Sequence, residues 1–438
     1  MKNEPNKMIR VGICGLGTVG GGTLSLLQKN KAEIDAKLGC SIEVTCVATR
    51  TLRPEVIEAF AGAGTDLFSV VNDPDVDVVV ETIGGFDPAF DLLQTALENG
   101  KHVVTANKAL IAERGNELFA IARANGVTLA YESAVAGGIP IIKALREGLA
   151  ANQIDSLAGI INGTGNFILS EMTENQSLFA GVLKQAQDLG YAEADPAFDI
   201  EGTDAAHKLT IMASIAFGID LQFEKTYTEG ISHIEPEDIA YASELGCVIK
   251  HLGIARKSEK GVEVRVHPAL IAKSRLLASV NGVGNAILVH GNEVGSTLYS
   301  GPGAGAGATA SAVVADLIDI ARQVRSGAVM PFVPALGFHQ VKQGLKVVSI
   351  EEIESEYYLR IQVRDVVGVL AGISRILEES DISIEAVIQK EAAGDSASIV
   401  ILTHSAIESE LNAAIVNIEA MDEVSGAVKR IRVAGFED

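Results

Sequence analysis

The first 134 residues alternate between two spacings of apolar positions. Short runs rich in valine and isoleucine read as strands: "MIRVGIC" (8–14), "IEVTCVATR" (42–50), "DVDVVVETIGG" (75–85), "HVVTANK" (102–108) and "VTLAYES" (127–133). Helical spacing lies between them, near 87–99 and 113–125. Strands that are apolar on both faces and separated by helices form a parallel sheet covered on both sides. Residues 1–134 are therefore expected to form a Rossmann-type parallel-sheet domain.

After about Ala134 the pattern changes. Residues 139–149 and 177–189 have helical spacing, and "SLAGIINGTGNFI" (156–168) reads as a strand followed by a glycine-rich turn. Strand-like runs recur at 248–257, 261–267 and 285–291, the first two joined by the turn "KSEKG". This predicts an α+β catalytic and dimerisation domain over 135–300. "SGPGAGAGATASAVVADLIDIARQV" is a glycine loop running into a long apolar helix, expected to pack back on the first domain, which 301–340 then completes. Residues 355–438 read strand, helix, strand, strand, helix, strand, the ferredoxin-like order. The acidic run "SIEEIESE" (349–356) reads as the linker before them.

Composition narrows the function classes. The chain has 438 residues, enough for several cores, and 47% of them are apolar. Its 57 acidic and 35 basic residues leave a net charge of -22, which argues against nucleic acid or an anionic membrane as partner. The N-terminal "MKNEPNKMIR" lacks the apolar core of a secretory signal, and no apolar run reaches the length of a membrane span. Four cysteines (Cys14, Cys40, Cys46 and Cys247) have neither metal-ligand nor disulfide spacing. A soluble cytoplasmic protein without zinc is the expectation.

Candidate chemistry starts at "GLGTVG", residues Gly15, Leu16, Gly17, Thr18, Val19 and Gly20. Here G-x-G-x-x-G stands at a strand-to-helix joint, where glycines let backbone N–H groups meet a pyrophosphate. Two further glycines, Gly21 and Gly22, should loosen the first helical turn by about 1 kcal/mol each relative to alanine. Arg50, with Arg53 nearby, follows the second strand, where an arginine suits the 2′-phosphate of NADP and an acid would suit NAD. Thr82 and Lys108 stand at strand C-terminal ends, on the ligand crevice.

The stretch "GYAEADPAFDIEGTDAAHKL" (190–209) places five carboxylates near one lysine. Asp204 and Lys208 are four apart on a helical pattern and share a face. On a surface such a pair contributes only about 0.3–0.5 kcal/mol. In a cleft the carboxylate would hold the ammonium, and the lysine would protonate a carbonyl becoming an alkoxide. Glu193 would grip a cationic substrate group. His207, turned away from that face, reads as structural.

The string G-[aromatic]-A-E-x-D-P-x-x-D-[aliphatic]-x-G-x-D-x-x-x-K, from Gly190 to Lys208, closely resembles the signature of homoserine dehydrogenases. "GLGTVG", "ETIGG", "TANK", "YESAVAGGIPII", "NGTGNFIL" and "GPGAGAGATA" fall in that family's order across residues 9–340. The C-terminal unit resembles an ACT domain, although Val367 of "DVVG" stands where the ACT turn usually has proline. The resemblance implies reversible NADP- or NAD-dependent reduction of L-aspartate 4-semialdehyde to L-homoserine, on the route to threonine, methionine and isoleucine. It implies Lys208 as proton donor, Glu193 and Asp204 at the substrate, and Lys108 at cofactor and substrate carbonyl. Gly190 and the loop carrying Gly301, Gly303 and Gly305 would approach the nicotinamide. A monovalent cation, sodium, would be held by Glu132 and by backbone carbonyls of Val135, Gly137 and Ile139. L-threonine would bind near Asp365 and Gly368, where two ACT units pair in a homodimer or homotetramer.

Two rival readings remain open at this level. An acylating semialdehyde dehydrogenase needs an activated cysteine in its cleft, and none of the four sits in such a context. A non-catalytic sensor of dinucleotide and amino acid could keep the glycine loop and the ACT unit, but would not need Glu193, Asp204 and Lys208 together.

Overall fold

Valines fill both faces of the first sheet, and this fixes its layers. The computed structural model describes residues 8–52, 54–60, 62–328, 330–342, 344–389 and 396–435. Six parallel strands are β1 (Ile9–Cys14), β2 (Ile42–Ala48), β3 (Gly62–Gly64), β4 (Val78–Glu81), β5 (His102–Thr105) and β6 (Leu129–Ala130), in the order β3-β2-β1-β4-β5-β6. Val78 and Val80 pack with Ile9, Val11 and Ile13 on one face, and Val79 packs with Leu92 and Leu93 on the other. The helix Ala306–Ser326 closes the first face, burying Val313, Leu317 and Ile320 there. Each such aliphatic side chain contributes about 1.5–3 kcal/mol by leaving water. The order reverses between β1 and β4, so the ligand crevice lies beyond Cys14 and Glu81, which sit side by side.

The second sheet is larger. Its strands are β7 (Ile154–Ile160), β8 (Tyr227–Thr228), β9 (Cys247–Ser258), β10 (Gly261–Ala272), β11 (Gly284–Gly291), β12 (Gly295–Pro302), β13 (Glu354–Arg364), β14 (Ile384–Gln389), β15 (Ser396–Thr403), β16 (Ala406–Ile407) and β17 (Lys429–Val433). The main path runs β12-β11-β7-β9-β10-β17-β13-β15-β14. The helix Thr203–Phe217 is buried along nearly its whole length and lays Leu209, Met212 and Ile215 in one core with Val262, Val264 and Val266 of β10.

The C-terminal unit keeps the split βαβ order, but its sheet is not separate. β17 pairs in parallel with β10, Ala269 opposite Arg432 and Leu270 opposite Val433. Arg432 is buried there and donates from Nε to Glu408 and from Nη1 to Glu229 (2.9 and 2.8 Å). Arg360 of β13 likewise reaches across, its Nε donating to buried Asp238 at 2.6 Å. The acidic stretch read as a linker forms a short 3-10 turn (Ile350–Glu352) and is then taken into β13.

Three elements differ from the pattern reading. "NGTGNFIL" is not only a turn: Asn162 accepts from Gly165 N (2.7 Å) and starts a helix, Gly163–Asn175. The glycine loop after 300 is preceded by β12, which forms a hairpin with β11. Within 139–149 an α turn (Ile141–Lys143) passes into a π-helical turn, Ala144–Gly148.

Candidate active site

At the end of β1 the glycines divide into distinct tasks. Gly15 has φ +99°, which a side chain resists. A Cβ on Gly20 would lie 1.9 Å from the Gly15 carbonyl oxygen, so only glycine lets this turn close. Gly17 borders open space instead, and the helix behind it has no side-chain cap and no acid in its first turn. Its first N–H groups are thus available to an anion. Leu16 and Val19 are half-buried against the sheet's core, and Thr18 is exposed. Gly22 has its own reason: a Cβ there would lie 2.7 Å from the Ala306 carbonyl, so its cost in helix propensity permits close packing by the helix Ala306–Ser326.

The neighbouring strand ends are laced to this loop. Thr82 donates to the Gly15 carbonyl (2.8 Å), so it sits under the glycine turn. Buried Glu81 accepts from Ile83 N, Gly84 N and Thr105, which shapes the β4 loop. Arg50 is exposed just beyond β2, and Arg53 lies outside the described residues.

The second sheet's helix brings the acid–lysine pair to the same crevice. Lys208 is buried, and its Nζ donates to Asp204 Oδ2 and to the Ile161 carbonyl, both at 2.7 Å. An ammonium has three donors, so these two bonds leave one N–H among the described residues. Lys108 opens the helix Lys108–Ala124 after β5, and its Nζ lies 3.2 Å from Asp204 Oδ1 and 5.4 Å from the Phe198 ring centre. Asn162 completes the group, donating to Asp204 (2.9 Å) and Asp199 (2.8 Å). Burial raises the proton affinity of Asp204, yet Lys208 and Lys108 outweigh it and hold the carboxyl down at about 2. Asp199 is pushed up by burial and by Asp204.

Other sequence candidates fall around this centre. Glu193 is exposed, and among the described residues no hydrogen bond or ion pair joins its side chain to the lysine cluster. Gly190 adopts φ +76° and ends the helix Phe179–Asp188. A Cβ on Gly303 would overlap the buried Asn285 side chain at 2.2 Å, so the Gly301–Gly305 loop rests on that side chain. Gly301 faces Ile139, and Gly305 (φ +124°) borders open space. His207 is buried, stacks on Phe223 with ring centres 4.2 Å apart, and meets Glu113 at 2.9 Å, a packing role.

Glu132 is buried and accepts from Ile142 N (2.9 Å) and Lys143 N (2.8 Å). Burial and nearby Asp316 push its carboxyl up to about 7. The turn that follows, with Val135 and Ile139 buried, carries Ala136 at φ +51° and Gly137 at φ +35°. Burial raises the proton affinity of all four cysteines, the reverse of an activated nucleophile. In the C-terminal unit Gly368 (φ +99°) starts the helix Val369–Glu379, and Asp365 and Val367 are exposed beside it.

Sequence reasoning missed Asn162 and Asn285. Asn162 follows the apolar strand β7 and Asn285 stands at the start of β11, where a buried amide leaves no signal of its own.

Comparison with known proteins agrees with this architecture. Residues 15–132 match the model "Homoserine dehydrogenase, NAD binding domain", 140–318 match "Homoserine dehydrogenase", and 357–420 match "ACT domain". The homoserine dehydrogenase of Pseudomonas aeruginosa is 56% identical over 98% of this chain and 99% of its own length. A crystal structure of a homoserine dehydrogenase from Thiobacillus denitrificans superposes with a TM-score of 0.93 at 55% identity, covering 98% of this chain and 99% of that one. A hyperthermophilic archaeal homoserine dehydrogenase mutant, solved in complex with NADPH, superposes with a TM-score of 0.61 at 26% identity, covering 72% of this chain and 98% of its own. An NAD-binding parallel sheet, the lysine-bearing helix and an ACT unit in one order, with identity of this extent, place the chain in the homoserine dehydrogenase family, as an oxidoreductase.

Proposed function

We propose that the chain reversibly reduces L-aspartate 4-semialdehyde to L-homoserine with NADPH or NADH, on the cytoplasmic route to threonine, methionine and isoleucine. The observation that carries this reading is the Lys208 ammonium, fixed by two acceptors and left with one N–H to offer. That N–H protonates the aldehyde oxygen as it becomes an alkoxide, and in the reverse direction the amine recovers the proton. Bound NAD(P)H supplies the hydride. The glycine turn, the exposed helix N-terminus and Thr82 hold the dinucleotide, with Arg50 at a 2′-phosphate. Lys108 steadies the carbonyl side, and Asp204 and Glu193 take the substrate's polar groups. Gly190 and the loop through Gly301, Gly303 and Gly305 border the nicotinamide.

Glu132 fits a monovalent cation, because it is a buried carboxylate with raised proton affinity and no ion-pair partner among the described residues. Carbonyls of Val135, Gly137 and Ile139 would complete an all-oxygen set, which suits sodium. Production of reduced nicotinamide from L-homoserine and NADP tests the reaction. Absence of turnover with both NADP and NAD overturns it.

The ACT unit acts as a sensor of L-threonine in a homodimer or homotetramer, with Asp365 and Gly368 at the ligand. Asp365→Ala lies on an exposed turn, away from the buried junction at Arg432. It should abolish threonine inhibition and keep basal turnover; inhibition unchanged in the variant places the effector elsewhere.

A further inference from the structure

A cavity of about 570 Å³ lies away from the lysine centre, between the helices Lys108–Ala124 and Ala306–Ser326 and the segment after residue 330. Its walls are largely apolar, formed by Phe119, Ala122, Leu129, Ile320, Pro331 and Phe332. Its size is that of a small-molecule site. Polar and charged residues also line it, among them Gln323, Arg146, Asp316 and Glu147. Gln323 is 4% exposed; its Oε1 accepts from Thr128 at 2.8 Å and its Nε2 has no partner among the described residues. Rotating the amide only exchanges which atom is left, so one polar atom stays open in either orientation. Arg146 lies 3.5 Å from Glu147 through Nη2 and donates from Nη1 to the Ala335 carbonyl (3.4 Å), but its Nε is buried and without a partner among the described residues. Asp316 lines the same cavity; its Oδ2 accepts from Glu132 N at 2.9 Å, and no ion pair joins it to Arg146 among the described residues. Buried polar groups left open in this way are costly unless a ligand or water meets them.

We propose that this cavity binds an α-amino acid with an apolar side chain. The ligand's carboxylate meets Arg146 and Gln323, its ammonium meets Asp316, and its side chain lies along Phe119, Leu129 and Ile320. A zwitterion fits because the cavity offers a cation and an anion that do not satisfy each other, above an apolar wall. The site is independent of the assignment of the ACT unit and of the reaction at Lys208.

Calorimetry on the full-length protein with L-leucine, under saturating NADPH and L-homoserine, tests this. One site per chain is expected, with binding at least about tenfold weaker for L-leucinamide and for 4-methylpentanoate, which lack the carboxylate or the ammonium. Ala122→Phe and Gln323→Leu should each abolish the heat and leave turnover intact. Binding that survives both variants, or that ignores loss of either charged group, overturns the proposal. Photoleucine crosslinking of the unaltered protein gives a second test that needs no variant. Adducts on 119–130 or 330–335 support the site, whereas adducts confined to 365–379 or 190–208 overturn it, as does the absence of any heat with L-leucine.

Discussion

Lys108 and Lys208 come from helices on different sheets and meet opposite oxygens of one buried carboxylate, Asp204, at 3.2 and 2.7 Å. The crevice therefore carries two ammonium groups against one acid whose charge is secured. Lys208→Ala leaves Asp204 paired with Lys108, so the fold should survive while the proton donor is lost. Turnover should fall by about 10²–10⁴ with NADPH binding unchanged. Steady-state rates and NADPH fluorescence titration measure the two effects, and turnover near that of the unaltered chain would sink the assignment.

Stability should depend on sodium in a pH-dependent way. The folded-state pKa of Glu132 is raised to about 7 and that of Asp316 to about 6, so the folded chain binds protons more tightly at both sites than the unfolded chain does. Stability from these groups is greatest below their unfolded values and declines as pH rises, until both are ionised above about 7. A bound cation offsets that loss. In a choline buffer Tm should drop between roughly pH 5 and 7.5, and sodium should restore it more at the upper end than at the lower. A sodium effect that is flat with pH, or absent, removes Glu132 from the cation site.

Arg50 stands exposed beyond β2, free to meet a phosphate. Arg50→Glu removes a charge-assisted partner and adds repulsion, a change of about 1.5–3 kcal/mol. The ratio of kcat/KM for NADP to that for NAD should fall by roughly 10–150-fold. An unchanged ratio puts Arg50 outside the cofactor site.

Arg360 is 6% exposed and neutralises Asp238, which is 1% exposed on the helix Pro236–Glu244. Arg360→Met leaves that carboxylate buried and unpaired, which costs about 3–5 kcal/mol. Denaturant unfolding should show the loss, and Asp238→Asn in the same chain should recover part of it. A loss below about 1 kcal/mol would mean that water reaches Asp238 once the guanidinium is gone.

Much of the fold was legible because period and punctuation agree. Val78, Val79 and Val80 can be buried together only in a strand covered on both faces, and G-x-G-x-x-G beside it marks the turn. Asp204 and Lys208 were legible because four residues is a helical spacing. The helix Gly163–Asn175 was not, since its first turn holds two glycines and its start rests on one bond from Asn162. The pairing of β17 with β10 also left no trace, because "KRIRV" carries its charges where an exposed edge strand would. Arg432 is buried only because Glu408 and Glu229, distant in sequence, converge on it.

That pairing bears on how the molecule opens. The Ala434 amide donates to Leu270 at 2.8 Å, inside a ladder that runs from β12 to β14. Amides of β10, β13 and β17 should then exchange with solvent water in a single cooperative event, while those of β2 and β3, at the edge of the first sheet, exchange sooner. The Asp365 turn thus follows directly on a strand of the sheet that also carries the strands behind Lys208, and deleting residues 349–438 would remove β17 from the edge of β10 at Ala269 and Leu270.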